Sequence, residues 1–211
     1  MNNTGIIPFL IFFSILLIIC YVIFFLPNNN ENFINKKKSL LNKSDEYCNK
    51  NMRCFYTGGR IKKEFNDLKK VLNIYYNKLV NLIDDKKKKQ RMINNFKIDN
   101  LFEVYPLNVN NDTSYTINKG EELGLCVRSG DDFYNTHELD IIIFVFTHEL
   151  AHVITLTEQH TDEFWKNFKY LLSLGYKHNL LNLIDFNNNT TKYCGMEIDY
   201  NPYLDKTLDI E

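Results

Sequence analysis

Apolar residues change their rhythm several times along the chain, and each rhythm predicts a different element. Residues 6–26 are almost wholly apolar and carry no charge. About 20 residues at 1.5 Å of rise cross a hydrocarbon core of roughly 30 Å, so this run is expected to be a transmembrane helix. Pro8 is tolerable in its first turn and Pro27 closes it. From Arg60 the pattern is helical: Ile61, Phe65, Leu68, Leu72, Tyr75, Tyr76, Leu79 and Ile83 recur at spacings of three and four, an amphipathic helix of about six turns. Asp84, Asp85 and the run Lys86, Lys87, Lys88, Lys89 interrupt that stripe, and Met92, Ile93 and Phe96 continue it.

Residues 101–130 switch to an extended pattern. Phe102, Glu103, Val104 and Tyr105 form a short segment closed by Pro106, and two further segments, 113–117 and 123–127, flank the turn residues Asn118, Lys119 and Gly120. The expectation is a β-hairpin, or two edge strands, immediately upstream of the next helix. Residues 139–146 are apolar nearly all round, which predicts a helix buried on most faces, capped at Asn135 or Thr136. Thr161, Asp162 and Glu163 open a further helix with Phe164, Trp165, Phe168, Leu171 and Leu172 on its core face and Gly175 as its stop. Residues 176–186 read as a short helix or loop and 187–191 as a loop. The tail, with Tyr193, Tyr200 and Tyr203, is irregular but aromatic enough to pack back on the domain.

The fold class is therefore α+β. Residues 1–27 are a transmembrane anchor and 28–59 an Asn/Lys-rich linker or stalk. Residues 60–98 form a basic amphipathic helical region, and 99–211 a small domain of buried helix, second helix and β-hairpin. Charge sharpens this division. The formal net charge of -1 conceals 17 Lys/Arg against 6 Asp/Glu in residues 36–91, and 8 against 19 in residues 92–211. Lys36, Lys37, Lys38 and Lys43 follow the apolar run and nothing basic precedes it. The positive-inside rule then expects a single-pass membrane protein whose bulk lies on the cytosolic side. The Lys run at 86–89 reads first as a solvated helix face, and second as a surface for nucleic acid or anionic lipid. Of the five cysteines, Cys48 and Cys54 have a spacing that fits no familiar zinc knuckle and leave both thiols and a disulfide open. Cys126 is expected to be a small buried hydrophobe.

The chemistry lies in the buried helix, where His148, Glu149 and His152 form the pattern H-E-x-x-H. Positions i and i+4 share a helix face, so both imidazoles can hold one zinc ion, with Glu149 placed as general base toward a water. Burying two histidines on an apolar helix is costly unless they are paired or metal-bound. Catalytic zinc commonly has a third protein ligand. His160 is the leading candidate, at the edge of the next helix, and Glu158, Asp162 and Glu163 compete with it. His137 reads as exposed polarity in the first turn of the metal helix, because Ile141 stands where a second histidine would be needed. Tyr176, His178, Tyr193 and Tyr200 are candidates to stabilise an oxyanion.

His148, Glu149, Leu150, Ala151 and His152, followed by His160, Thr161, Asp162, Glu163, Phe164 and Trp165, resemble the WLM and SprT-like zinc metallopeptidases. The segment Cys126, Val127, Arg128 and the pair Asn135, Thr136 are similar to those of membrane-anchored WLM-like proteins of large DNA viruses. The resemblance covers roughly residues 100–203. It implies a minimal zincin-like fold, Zn2+ held by His148, His152 and His160, Glu149 as catalytic acid/base, and a protein or peptide substrate. Three features depart from known patterns. Seven residues separate His152 from His160 where WLM proteins usually have fewer, no Gly lies among them as metzincins require, and the zinc ribbon of many SprT-like proteins is missing. The expected activity is that of a membrane-anchored zinc endopeptidase. The alternatives are a catalytically inactive membrane scaffold with a structural zinc, and a basic-patch module binding nucleic acid or lipid.

Overall fold

The helix that carries the H-E-x-x-H residues has almost no face left for water. In the computed structural model, which describes residues 46–48, 54–56, 59–104, 113–129 and 135–209, it is surrounded by three other helices and a small sheet. All described residues belong to one of two compact units of the chain, Glu46–Glu211. The strands β1 (Glu46–Cys48) and β2 (Cys54–Tyr56) pair antiparallel, with Cys48 opposite Cys54. A short hairpin thus stands where a linker was expected. The helices α1 (Gly59–Leu82) and α2 (Lys86–Asn95) follow. A 3-10 turn, Ile98–Asn100, leads into strand β3 (Leu101–Val104), and β4 (Tyr115–Ile117) and β5 (Glu122–Cys126) complete a three-stranded sheet. Then come α3 (Leu139–Ile154), α4 (Asp162–Lys177), β6 (Thr191–Tyr193), β7 (Met196–Ile198) and a 3-10 turn, Pro202–Leu204.

The predicted hairpin is β4–β5, paired antiparallel with Thr116 opposite Leu123, and β3 joins the other side of β5 in parallel. The order β3-β5-β4 leaves β4 at the edge. Gly124 is required at the centre: a Cβ there would sit 2.3 Å from the Tyr115 ring and 2.5 Å from Val104. Gly120 closes the hairpin turn at φ +112°, a conformation that glycine adopts without strain.

The helices meet through aromatic rings. Phe146 of α3 lies 6.3 Å from Tyr75 of α1 and 5.9 Å from Phe96, just after α2, and Phe144 lies 5.1 Å from Phe168 of α4. Thr147, fully buried beside the first histidine, donates to the carbonyl of Ile143 at 2.7 Å, so the Tyr75 hydroxyl donates to Thr147 Oγ1 at 2.6 Å. That bond satisfies both polar groups inside the core. The Lys run is the first turn of α2. Asp85 caps it by accepting from the amides of Lys87 and Lys88, which is why the apolar stripe breaks there into two helices. Lys88 lies over the Tyr170 ring at 4.8 Å and Lys89 donates to the Asn81 carbonyl, so half of the run is engaged locally.

Several expectations need correction. The helix α3 starts at Leu139 and not at a cap formed by Asn135 or Thr136. Residues 135–137 are instead paired with the chain after β5: Arg128 bridges Thr136, Ser129 N–H donates to Asn135 and His137 N–H to Val127. His137 is consequently outside the helix and half-buried, 4.9 Å from the Tyr193 ring. The helix α4 runs through Gly175 to Lys177, and the glycine makes room for Leu181, whose Cδ2 would be 2.3 Å from a Cβ at that position. Cys126 is buried as expected but is no free thiol, since it forms a disulfide with Cys194, 68 residues on. Placement as a single-pass membrane protein is also withdrawn. Among the described residues no helix is long and apolar enough to cross a membrane. The segment 6–26, on which that placement rested, lies outside the described residues.

Arg128 is the largest fully buried side chain. Its Nε donates to Glu103 at 2.8 Å and a terminal nitrogen to Glu64 at 2.7 Å. Removing one partner of a buried ion pair typically costs about 3–5 kcal/mol because the other charge is stranded. Arg128→Met should lower unfolding free energy by about that amount in urea titrations, and adding Glu103→Leu should recover part of the loss. The Cys126–Cys194 crosslink closes a loop of 68 residues, and such loops contribute roughly 4 kcal/mol by restricting the unfolded chain. Cys126→Ser/Cys194→Ala should therefore lower the urea midpoint, and reductant should shift the wild type more than the variant.

Candidate metal centre

Three histidines from two elements converge on one point. His148 and His152 stand one helical turn apart on α3, with ring centroids 5.1 Å apart. His160 arrives from the loop before α4, with its ring 4.9 Å from each of the other two. His148 Nε2 and His160 Nε2 are 3.0 Å apart, and one ligand atom from each of the three rings lies within 4.8 Å of the others. Phe164, one turn into α4, touches all three: it stacks on His152 at 4.2 Å and meets His148 at 4.8 Å and His160 at 4.7 Å. The same helix that bounds the loop therefore also fixes the orientation of the rings.

This donor set fits zinc. Burial depresses His148 well below the usual histidine range, helped by its two imidazole neighbours. Burial, then His160 and Lys119, lower His152 to about 4, and burial lowers His160. All three rings are thus held in the neutral form, which binds a metal. Three imidazoles on a largely apolar wall are a ligand set suited to catalytic zinc.

Glu149 is buried. Its Oε2 accepts from Thr116 Oγ1 of the edge strand at 2.7 Å, and the same hydroxyl approaches the Glu149 carbonyl at 3.2 Å. Burial raises its carboxyl to about 8, with the Thr116 bond working the other way. A carboxylate poised in this range can both take up and release a proton near neutral pH.

His148, Glu149 and His160 line a cleft of about 260 Å³. One wall comes from α3 and α4, with Phe144, Val145, Trp165 and Phe168. The opposite wall comes from the tail, where Tyr193, Met196, Ile198 and Tyr200 face the site. The tail is a hairpin, β6–β7, with Tyr193 opposite Met196 across the turn Cys194–Gly195, both at positive φ. The disulfide ties this turn to the end of β5, and the Tyr193 hydroxyl donates to the Cys126 carbonyl beside it.

The competing candidates separate clearly. Glu158 is exposed and paired with Lys119 at 3.2 Å. Asp162 is exposed in the first turn of α4. Glu163 faces the loop backbone: its partial burial raises its carboxyl, but the amides of Leu156 and Thr157 outweigh this and hold it below its usual range. Tyr193 and Tyr200 border the cleft, but the first hydroxyl is engaged with Cys126 and Ser114 and the second with Asp205 at 2.8 Å. Tyr176 bonds Asn201, its ring lying against Tyr203, and His178 caps the end of α4, both away from the cleft. Thr116, Asn167 and the hairpin wall escaped sequence reading. Only the edge position of 113–117 beside the metal helix hinted at the first.

The WLM domain profile matches residues 83–195, which include every residue of the triad and Glu149. An uncharacterized protein of Acanthamoeba polyphaga mimivirus is 37% identical over 87 residues, which are 41% of this chain and 44% of that protein. The chain thus matches less than half the length of that relative. The crystal structure of Wss1 from Saccharomyces cerevisiae is similar over 38% of this chain and 60% of that one, at 23% identity and a TM-score of 0.33. With more than half of its length matched by the profile, the chain belongs to the WLM domain family, a family of zinc metallopeptidases.

Proposed function

We propose that this chain is a zinc-dependent endopeptidase in which His148, His152 and His160 hold the metal and Glu149 moves the proton. The observation that carries the reading is the convergence of three neutral imidazoles within 4.8 Å, beside a buried glutamate that opens on the same cleft. Zinc bound there supplies Lewis acidity toward the scissile carbonyl and makes a water acidic enough to ionise near neutral pH. Everything else falls to the chain. Glu149 accepts a proton from the attacking water and returns it to the departing amide nitrogen. Thr116 holds Glu149 by its Oε2, so the carboxylate keeps one orientation through both transfers. The apolar lining restricts the water that reaches the site. The strand β4, which carries Thr116, is at the edge of the described sheet, a position at which an extended peptide can lie as an added strand. A scaffold with a purely structural zinc would have no use for a buried, singly hydrogen-bonded Glu149 at the cleft.

The purified chain should contain one zinc per molecule and cleave an unfolded protein such as reduced casein. Glu149→Gln should keep the zinc and lose at least about 100-fold in kcat, the usual worth of a general base. A wild-type chain that takes up no zinc overturns the proposal. Thr116→Val should lower kcat about tenfold, with zinc content and KM nearly unchanged, because it frees the proton carrier without touching the ligands; steady-state kinetics on a quenched-fluorescence peptide would measure this split.

A further inference from the structure

The third histidine is delivered by a loop that has little else to hold it. Residues 156–160 are exposed, with Leu156 67% accessible, so burial of apolar side chains does not fix this segment. Gln159 sits at φ +65°, a left-handed conformation that is unfavourable for a side chain of that kind. The start of the loop is anchored: Thr155 Oγ1 donates to the Ala151 carbonyl at 2.7 Å and accepts from buried Asn167 at 2.9 Å. Beyond that point the constraint is polar and converges on Glu163. One carboxylate oxygen accepts from Leu156 N–H at 3.0 Å. The other accepts from Thr157 N–H at 3.1 Å and from Thr157 Oγ1 at 2.9 Å. The Thr157 hydroxyl also meets the helix-capping hydroxyl of Thr161 at 2.6 Å. From the opposite side Lys119, on the β4–β5 turn, donates to the Thr157 carbonyl and pairs with Glu158.

We propose that Glu163 is a positioning residue for the metal: by clamping residues 156–157 against the start of α4, it holds the loop so that His160 stays beside His148 and His152. The inference rests on the zinc reading above and deepens it. Seven residues join His152 to His160, a span that could swing His160 away from the site if only its two ends were fixed. The carboxylate shortens the free part by tying its beginning to the first turn of the next helix, one turn from the ligand itself. A carboxylate in the first turn also favours the helix dipole, and a test must separate the two effects.

The test compares the full chain with Glu163→Gln, which keeps the side chain's length but weakens its hold on three donors. The readouts are the zinc dissociation constant by chelator competition, the visible spectrum of the cobalt(II)-loaded protein, and the urea midpoint of the metal-free protein. The expected result is a 10- to 100-fold loss of zinc affinity, the range usual for groups that orient metal ligands. The cobalt bands should weaken as an imidazole is exchanged for water, while the metal-free midpoint stays near that of the wild type. Affinity within about twofold of the wild type with an unchanged cobalt spectrum overturns the inference and leaves the peptidase proposal standing. A wild type that binds no zinc overturns both. If Glu163→Gln does not fold, Glu163→Asp retains the charge at the helix terminus but is too short to span the clamp, and the same readouts decide. If neither variant folds, Glu163 serves the fold and the inference is overturned.

Discussion

The structure depends on one conflict: α3 is buried on nearly every side, yet it carries the polar side chains His148, Glu149 and His152. Ile141 through Ala151 are almost all out of contact with water, and Val153 and Ile154 close the helix in the same way. A polar group on such a helix is costly unless it has a partner. The molecule resolves the conflict by giving each one a partner from a different element. Thr147 bonds to Tyr75 of α1, Glu149 to Thr116 of β4, and the histidines lie against His160 and Phe164 from the α4 side. The layers packed around α3 are therefore the same layers that build the site.

The aromatic side of that arrangement does more than exclude water. Phe164 contacts all three imidazoles, and Trp165 lies 5.6 Å from His160. Rings packed this way limit the rotation of the ligands about their side-chain bonds, so less freedom is lost when a metal binds. The same packing lowers the proton affinity of the histidines by desolvating them, which favours the metal-binding form. Burial is thus the largest cause of the neutral form, to which the neighbouring imidazoles and Lys119 add, and the packing against α4 also sets the orientation of the rings.

Much of this was legible in the sequence because its signals are periodic and local. The three-and-four spacing from Phe65 to Leu79 locates α1, the turn residues Asn118 to Gly120 locate the β4–β5 hairpin, and the i, i+4 spacing of His148 and His152 locates the metal face. His160 could be singled out by type and position, although spacing alone could not distinguish it from Glu158 or Glu163. The misses are long-range pairings, which leave no local pattern. Cys126 meets Cys194 across 68 residues, Arg128 pairs with Glu64 and Glu103 on other elements, and the pairing of Asn135 to His137 with the chain after β5 pre-empts the helix caps. Gly175 was misread because a glycine that stops a helix and a glycine that admits Leu181 look alike in sequence.

The opposite wall of the cleft carries the same lesson into function. Its residues lie on β6–β7 and the chain after it, far in sequence from α3, and a two-stranded hairpin is at best marginal by itself. Here the hairpin is fixed to β5 at one point, by the Cys126–Cys194 disulfide and by the Tyr193 hydroxyl on the Cys126 carbonyl, with Ser114 joining the same cluster. Ser114 immediately precedes β4, and β4 carries Thr116, which holds Glu149. This part of the cleft lining and the strand that holds Glu149 therefore share one anchor. A change that loosens that anchor should widen the cleft and release Glu149 together, and in the proposed peptidase this would couple substrate fit to proton transfer.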